Sequence, residues 1–541
     1  MDSADSTSYP QVRAFFVGGA GDEITGSSTL IKITKADGTS EYGMVDAGGV
    51  QGKSEHLKYE YPVIGEKISF IILTHAHFDH IGMLPLLYKR GFRGKIYCTN
   101  IVRSIAHPLL LDAARLNELD IRLSGRNKKI LAKTEQRLII ERALSTNPKD
   151  IKSYDNGIEQ LENIEDEAIY GQMDVENVMN LFEPIDLFVR VKISENVYVR
   201  LLPTTHQDGA ARVELYIGSG KNRCNIAFTG DIGPNNPVLY RYGDYYYNES
   251  INYLVLESLH GVDEPQETLK TSINRLMEII KKGIRQHKHI ILAGFSLDRN
   301  AMLVYLMSEF KKQNIKIDVF VDSPLTFTML SIYDSFYKTD KYYFKDLGQN
   351  PFNNKNIKVI LRGIEHKESV LHGEAPRVII TASANGNGGR IMGYFEKGIQ
   401  SPNYVFVFCG WIDPNSPSSQ LHECKIGEIC EVAKNRYVKH CKTYRLHGLS
   451  AHGYYPDMVN IIKDYPNLNG LVLNHAEMNV KLQLREQLSS VFEGKIYIPE
   501  LSDAYVFEQD GIRKMNEDEA LLEFDSDIII RTAVNEEDTE E

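Results

Sequence analysis

The part of the sequence with the clearest chemical potential packs three histidines and one aspartate into six positions. It is the run Thr74-His75-Ala76-His77-Phe78-Asp79-His80. The run directly follows an apolar segment, 68–73, that predicts a β-strand. A loop that leaves a strand can direct alternate side chains toward one point, and imidazole nitrogens and carboxylate oxygens are ligand types that hold zinc. The spacing therefore predicts a metal site at the end of this strand.

Three more polar residues follow other predicted strands. His206 comes after a strand predicted over 197–202, and Asp231 ends Phe228-Thr229-Gly230-Asp231 after a strand predicted over 225–229. Asp46 ends a third strand, and a carboxylate there is suited to orient a histidine ligand. A strand that ends in Gly-Asp puts the carboxylate of Asp231 at the rim of a sheet, where it could bridge two metals. Together these residues predict a binuclear site.

The pattern of predicted elements changes along the chain. Strands dominate the first 261 residues, interrupted by a helical and charged stretch over 101–190. After that, helices are predicted over 267–286 and 300–313, and strands over 289–294, 317–321, 378–381 and 404–409. Strands that alternate with helices are typical of βαβ units and a parallel sheet. The middle of the chain is therefore expected to form a separate α/β domain.

Composition narrows the class of protein. The chain has 541 residues, 42% hydrophobic and 25% charged, which excludes a mostly disordered, collagen-like or coiled-coil protein. The sequence has neither an apolar run of about 20 residues nor a basic, apolar N-terminal leader, so we expect no membrane segment and no signal peptide. Six cysteines without a CxxC pair predict plain thiols in a reducing, cytoplasmic setting, with an accessory metal or redox site as the alternative.

The types of these residues and their order along the chain resemble a known fold. Asp46, the 75–80 run, His206 and Asp231 follow one another as in the metallo-β-lactamase fold. Three later segments resemble the extra motifs of the β-CASP nucleases within that fold. They are Leu254-Val255-Leu256-Glu257, Leu449-Ser450-Ala451-His452-Gly453 and Leu473-Asn474-His475-Ala476-Glu477.

The resemblance implies an α/β fold, an αββα metallo-β-lactamase sandwich with an inserted α/β β-CASP cap domain. The first part of the sandwich domain is expected over 1–261, the cap over 262–440 and the final part of the sandwich domain over 441–510. The last 31 residues, 511–541, hold eleven acidic and three basic residues and are expected to form an acidic C-terminal tail. This tail carries most of the formal net charge of −12.

The family's ligand pattern also transfers to this chain. The resemblance implies two zinc ions per chain, one held by His75, His77 and His206 and the other by Asp79, His80 and His475. Asp231 would bridge them beside a shared hydroxide. His452 would be the general acid for the departing 3′ oxygen. Glu257 would hold the His452 ring and favour its charged form.

Substrate contacts are predicted from a glycine-rich loop and one arginine. The loop Thr381–Arg390 resembles the family's glycine-rich motif, and the residues after it are predicted to form a helix. The free N–H groups at the start of a helix, next to an arginine, can bind an anion. Ser383, Gly388, Gly389 and Arg390 are therefore expected to hold a substrate phosphate, with a simple helix entry as the alternative. Arg299 stands where relatives carry an arginine, although a helix-surface role is equally compatible. The segment Cys409–Pro414 departs from the family pattern, so whether it contacts RNA as in the family is undecided.

The implied function is hydrolysis of single-stranded RNA to products with 5′-phosphate and 3′-hydroxyl ends. His475 favours RNA, because DNA-repair members of the family usually carry valine there. Three alternatives stay open: a hydrolase of a small ester or lactone, a DNA-acting β-CASP nuclease and a catalytically silent partner subunit. The pair Glu257 and His452 argues against the first, and the complete set of ligand positions argues against the last. Endonuclease or 5′ exonuclease action is undecided, a homodimer is possible, and residues 120–170 have no assigned role.

Overall fold

The computed structural model describes residues 10–35, 37–51, 61–118, 169–219, 222–241, 248–340, 342–352 and 357–524. The middle of the helical and charged stretch predicted over 101–190, which includes nearly all of residues 120–170, and the acidic end beyond 524 lie outside these residues. Sheets of eight, seven and six strands and one two-stranded ribbon organise the described chain. No described helix has the length and apolar character needed to cross a bilayer.

The first sheet has eight strands. Their order across the sheet is Gly511–Lys514, Ala504–Glu508, Gln11–Gly18, Ser28–Thr34, Ser40–Val45, Ile68–Ile72, Lys95–Cys98 and Phe182–Pro184. The strand that precedes Asp46, Ser40–Val45, and the strand that precedes the histidine run, Ile68–Ile72, pair in parallel, with Val45 opposite Ile72. Helices Phe78–Ile81, Leu84–Lys89, 100–118 and Gln172–Met179 contribute buried residues to the core on one face of this sheet.

The second sheet has seven strands. Their order is Lys495–Tyr497, Gly470–Asn474, Tyr253–Glu257, Asn222–Phe228, Ala211–Ser219, Val197–Pro203 and Val191–Ser194. Helices Tyr455–Lys463 and Met478–Leu488 pack on its outer face through residues such as Met458 and Leu484. The strands Asn222–Phe228, Tyr253–Glu257 and Gly470–Asn474 pair in parallel, so their carboxyl ends meet at one rim.

Alternation of apolar side chains explains why the two sheets face each other. In the strand Gln11–Gly18, Val12, Ala14 and Phe16 point into a core shared with Val199 and Val213 of the second sheet. Side chains on the opposite face of the first sheet pack against its helices instead. Each sheet thus buries one face against the other and one against helices, which is the expected αββα sandwich.

The third sheet builds the cap. Its six strands are all parallel, in the order Ile357–Val359, Asp318–Asp322, Arg377–Thr381, His289–Ala293, Tyr404–Cys409 and Lys442–Leu446. Its helices are Leu269–Arg285, Asp298–Lys312, Pro324–Tyr337, Gly363–His372, Ile391–Gly398 and Pro417–Glu423. The strands Ile429–Val432 and Asn435–Val438 form the separate ribbon. The predicted alternation of helices and strands is confirmed.

Three elements lie on the other side of the predicted domain boundaries, and the division itself stays a prediction. The strand Lys442–Leu446, expected in the final part of the sandwich domain, pairs with Tyr404–Cys409 at the edge of the cap sheet. The strand Gly511–Lys514 and the helix Glu517–Glu523, expected in the tail, pack onto the sandwich domain. Ile512 and Phe524 are buried there, so the tail is not a solvated segment before residue 525.

Candidate metal centre and active site

The carboxyl ends of strands from both sheets place the candidate residues at one rim. In the first sheet, Asp46 follows Ser40–Val45 and the histidine run follows Ile68–Ile72. In the second sheet, His206, Asp231 and His475 follow Val197–Pro203, Asn222–Phe228 and Gly470–Asn474. The sandwich thus brings together residues that are up to about 400 positions apart, since His80 and His475 differ by 395.

The first group contains His75, His77, His206 and Asp231. The Nδ1 atom of His77 lies 3.0 Å from the Nε2 atoms of both His75 and His206. His206 donates from Nδ1 to the carbonyl of Ala451 at 3.2 Å, which leaves its Nε2 lone pair directed into the group. The three nitrogens and one oxygen lie within 4.8 Å of one another, as ligands of one ion would.

The second group contains Asp79, His80 and His475. The Nε2 atoms of His80 and His475 are 3.3 Å apart, and His475 Nε2 lies 3.5 Å from Asp79 Oδ2. His475 has a left-handed backbone, with φ of 59°, and its N–H donates to the carbonyl of Gly19. Such a conformation costs a non-glycine residue free energy and is often found where a side chain is aimed at a functional site.

Asp231 lies between the two groups and is nearly fully buried. Its Oδ2 atom is 3.5 Å from His75 Nε2 and 3.4 Å from His206 Nε2. Its Oδ1 atom is 3.2 Å from His80 Nε2 and 3.6 Å from His475 Nε2. Oδ1 is buried and has no hydrogen-bond partner among the described residues, which is unusual for a carboxylate oxygen. The donor set fits two ions bridged by this carboxylate.

Asp46 orients the imidazole of His80 through a hydrogen bond. Its Oδ2 atom accepts a hydrogen bond from His80 Nδ1 at 2.8 Å, which directs His80 Nε2 toward Asp231. Thr74 fixes the carboxylate in turn, because its backbone N–H donates to Oδ1 and its hydroxyl to Oδ2, each at 2.8 Å. Thr74 was not identified from the sequence. Its position, directly before the histidine run at a strand end, is the signal that could have revealed it.

Protonation differs between the two groups. Burial lowers the pKa values of His75, His77 and His206, so these imidazoles are neutral and their lone pairs can bind metal. Burial also acts on His80 and His475, but nearby carboxylates, led by Asp231, outweigh it and raise their pKa values. An ion in the second group must therefore displace protons, which makes its binding pH-dependent.

His452 and Glu257 form a second functional pair beside Asp231. His452 Nδ1 is 2.6 Å from Glu257 Oε1 and 4.0 Å from Asp231 Oδ2. The other oxygen of Glu257 accepts the backbone N–H of Ile232, so the carboxylate is held at both ends. Burial disfavours a charged His452, but the carboxylates of Glu257 and Asp231 together outweigh it and raise the pKa of His452. This arrangement suits a side chain that donates a proton.

A cavity of about 260 Å³ opens beside this pair. His206 and His452 line it from the sandwich domain, and Asp298 and Arg299 line it from the cap. Arg299 is half-buried, and its guanidinium donates to Met302 Sδ at 3.8 Å. A cationic side chain therefore lies on the wall of the same cavity as the candidate general acid.

The glycine-rich loop does not join this cavity. The guanidinium of Arg390 donates to Asp322 Oδ1 and to the carbonyl of Ile360, each at 2.6 Å, and also to the carbonyl of Leu361. Asp322 is fully buried and also accepts from the hydroxyl of Tyr394. None of the four loop residues predicted to hold a phosphate is among the described residues that line the cavity; they are Ser383, Gly388, Gly389 and Arg390. Arg390 instead links elements of the cap.

The remaining histidine and cysteine candidates have ordinary environments. His260 stacks on Tyr454, with ring centroids 5.0 Å apart, and its Nδ1 lies 2.7 Å from Asp263; it belongs to none of the ligand groups among the described residues. All six cysteines are free thiols. Within the described part of the chain none of them belongs to a group that could hold a metal.

Three protein-family models match segments of the sandwich domain and of the cap. Residues 21–166 match the metallo-beta-lactamase superfamily, residues 301–421 match the Beta-Casp domain, and residues 436–499 match the Zn-dependent metallo-hydrolase RNA specificity domain. The chain belongs to the β-CASP nuclease family. It is therefore a metal-dependent hydrolase with the metallo-β-lactamase fold.

Individual relatives agree with this placement. The chain is 22% identical to ribonuclease TTHA0252 of Thermus thermophilus over 489 residues, which cover 87% of this chain and 95% of that protein. It is 23% identical to transcription termination factor FttA of Methanosarcina mazei over 72% of this chain, and 21% identical to the factor of Methanocaldococcus jannaschii over 81%. The matches cover only 57% and 63% of these two archaeal factors.

Proposed function

We propose that the protein is a zinc-dependent ribonuclease that hydrolyses single-stranded RNA with a hydroxide activated by two zinc ions. The products would carry 5′-phosphate and 3′-hydroxyl ends. The observation that carries this proposal is the placement of Asp231, whose two carboxylate oxygens face two separate groups of ligand atoms. A bridging carboxylate between two such groups suits a two-metal hydrolase.

The identity of the ions follows from the donor atoms. The first group offers three imidazole nitrogens and one carboxylate oxygen, and the second offers two nitrogens and one oxygen besides Asp231. This mixture of nitrogen and oxygen suits zinc better than magnesium or calcium, which prefer oxygen alone. Bound zinc would lower the pKa of the attacking water and neutralise charge that builds on the phosphate.

His452 is proposed to protonate the departing 3′ oxygen. Its Nδ1 atom is occupied by Glu257, so Nε2 is the atom that carries the transferable proton. The ring lies on the wall of the cavity next to His206, where a scissile phosphate would be close to both the metal group and the acid. Glu257 stabilises the imidazolium before transfer, which keeps the acid protonated at higher pH.

RNA is favoured as the substrate for two reasons. The segment that matches the RNA specificity domain, 436–499, contains both His452 and His475. The relative from Thermus thermophilus is named a ribonuclease, and the archaeal relatives are named transcription termination factors, which supports an RNA substrate. Arg299 is proposed to contact a phosphate, because it is the cationic side chain on the cavity wall. The reducing, cytoplasmic setting is likewise a proposal, in keeping with the six free thiols.

Substrate panels distinguish this function from its alternatives. The zinc-loaded protein is incubated with 5′-labelled single-stranded RNA, with DNA of the same sequence, and with thioesters and lactones. RNA cleavage that is lost in the His452→Ala variant supports the proposal. Turnover of esters without RNA cleavage would overturn it, and cleavage of DNA alone would assign the DNA-acting alternative. Circular RNA added to the panel separates the two modes of attack, since only an endonuclease can open a circle.

A further inference from the structure

Two aspartates outside the metal groups are in contact where the sandwich domain meets the cap, through the backbone of one and the carboxylate of the other. Asp208 lies two residues after His206, and Asp298 is the first residue of the helix Asp298–Lys312. The backbone N–H of Asp208 donates to Asp298 Oδ1 at 3.3 Å. The contact joins the loop that carries a metal-ligand candidate to the cap helix that carries Arg299.

The carboxylates of this pair are buried with few partners. Asp208 is 0% exposed, and neither of its oxygens has a hydrogen-bond partner among the described residues. Asp298 is 7% exposed; its Oδ1 atom accepts from the hydroxyls of Tyr240 and Tyr333, whereas its Oδ2 atom has no partner there. A buried carboxylate oxygen normally accepts a hydrogen bond or binds a cation.

Among the described residues that line the cavity beside this pair, Arg299 is the one arginine or lysine. Arg299 is adjacent to Asp298 in the chain, but its guanidinium donates to Met302 Sδ and supplies one positive charge against two carboxylates. Asp298 also lines the cavity beside His206 and His452. An RNA phosphate that enters this cavity would be repelled by the Asp298 carboxylate at its wall.

We propose that Asp208 and Asp298 hold a hard divalent cation, Mg²⁺ or Mn²⁺, at the junction of the two domains. Oxygen ligands without imidazole or thiolate select this class of ion over zinc. Such ions retain several waters, and the cavity next to Asp298 provides room and access for a hydrated ion. The cation reverses the local charge, so that this wall attracts a phosphate. Only this last role rests on the proposed RNA-cleaving function.

The test measures Mn²⁺ binding to the full-length, zinc-saturated chain without RNA. Free Mn²⁺ is followed by electron paramagnetic resonance during titration, and zinc is counted in the same samples. One Mn²⁺ per chain is expected to bind in addition to zinc and to be displaced by excess Mg²⁺. Asp298→Asn and Asp208→Asn should each weaken Mn²⁺ binding at least about tenfold, with zinc content unchanged, since each removes one anionic ligand.

A matched substitution controls for general effects of lost charge. Asp318→Asn removes an exposed carboxylate of the cap that pairs with Lys358, and it should leave Mn²⁺ binding unchanged. Mn²⁺ should also raise the thermal midpoint of the unmodified chain, a readout that requires no variant. No Mn²⁺ bound beyond zinc, or equal binding by Asp298→Asn and the unmodified chain, would overturn the site. A failed RNA cleavage assay would count against the proposed function but not against this site.

Discussion

Replacing Glu257 by glutamine should shift the pH dependence of RNA cleavage to lower pH. Glu257 Oε1 is 2.6 Å from His452 Nδ1, and the carboxylate raises the pKa of that imidazole against the opposing effect of burial. A general acid works while it is protonated, so cleavage is lost as pH rises through the pKa of His452. Because glutamine removes the charge that favours the imidazolium, the loss should begin at lower pH.

The size of the shift follows from the contact. A hydrogen bond to a charged group contributes about 1.5–3 kcal/mol. One pKa unit corresponds to about 1.36 kcal/mol, so the alkaline limb should move by about one to two pH units. Glutamine has one acceptor oxygen where glutamate has two, so keeping the N–H of Ile232 turns the amide NH2 toward His452 Nδ1, and the variant loses the acceptor for the imidazolium together with the charge.

The assay is a single-turnover pH–rate profile of the zinc-loaded enzyme on labelled single-stranded RNA. The control is Glu264→Gln, a nearby exposed residue, which should leave the profile unchanged. Zinc content is measured at each end of the pH range so that metal loss is not mistaken for loss of the acid. An alkaline limb that stays in place or moves to higher pH in Glu257→Gln would refute the proposed pairing of acid and carboxylate.

Three further substitutions test separate parts of the structure. His452→Ala should retain zinc but slow RNA cleavage by roughly 10²–10⁴-fold, and an unchanged rate would remove it as the general acid. Asp231→Asn should leave fewer zinc ions per chain after dialysis, measured by atomic spectroscopy, because one carboxylate faces both ligand groups; full zinc retention would contradict a bridging role. Phe524→Ala should lower the free energy of unfolding by about 3–5 kcal/mol, measured in urea, because its ring is buried against Phe15. Leu522→Ala, at a side chain 82% exposed, should change it by less than about 0.5 kcal/mol, and equal effects of the two would contradict the observed packing of this segment.

The sequence predicted best where chemistry is concentrated locally. The run from His75 to His80 occupies consecutive positions after one strand, so its meaning did not depend on distant parts of the chain. The apolar periodicities of the cap also predicted its elements correctly, since the helices and strands there are set by short-range patterns. His206, Asp231 and His475 were proposed from their order and the family resemblance, because no local signal shows which distant strand ends share a rim.

What the sequence missed depends on partners far along the chain. Arg390 after a run of glycines looks the same whether its guanidinium meets a phosphate or a carboxylate. In the structure its partner is Asp322, which lies 68 positions away. Likewise, the strand Lys442–Leu446 lies in the cap because Tyr404–Cys409 offers it a parallel edge, and that edge exists only in the folded sheet.

The structure of the acidic end of the chain also differs from the prediction. Its high charge predicted a solvated tail from residue 511, yet Ile512 and Met515 supply enough apolar surface to extend the first sheet. The overall composition hid these few apolar positions. Residues 525–541 lie outside the described part of the chain, so the expectation of an acidic tail stays a prediction for them.

The most direct test of the proposed function is end mapping of RNA products together with zinc counting on one enzyme preparation. A long single-stranded RNA is cleaved, and the new termini are identified by their sensitivity to a 5′-phosphate-dependent exonuclease and to ligation at the 3′ end. We predict about two zinc ions per chain, products with 5′-phosphate and 3′-hydroxyl ends, and loss of cleavage when zinc is removed, restored when it is returned. Products with 2′,3′-cyclic phosphate ends, or full cleavage by the zinc-free chain, would contradict the two-metal account.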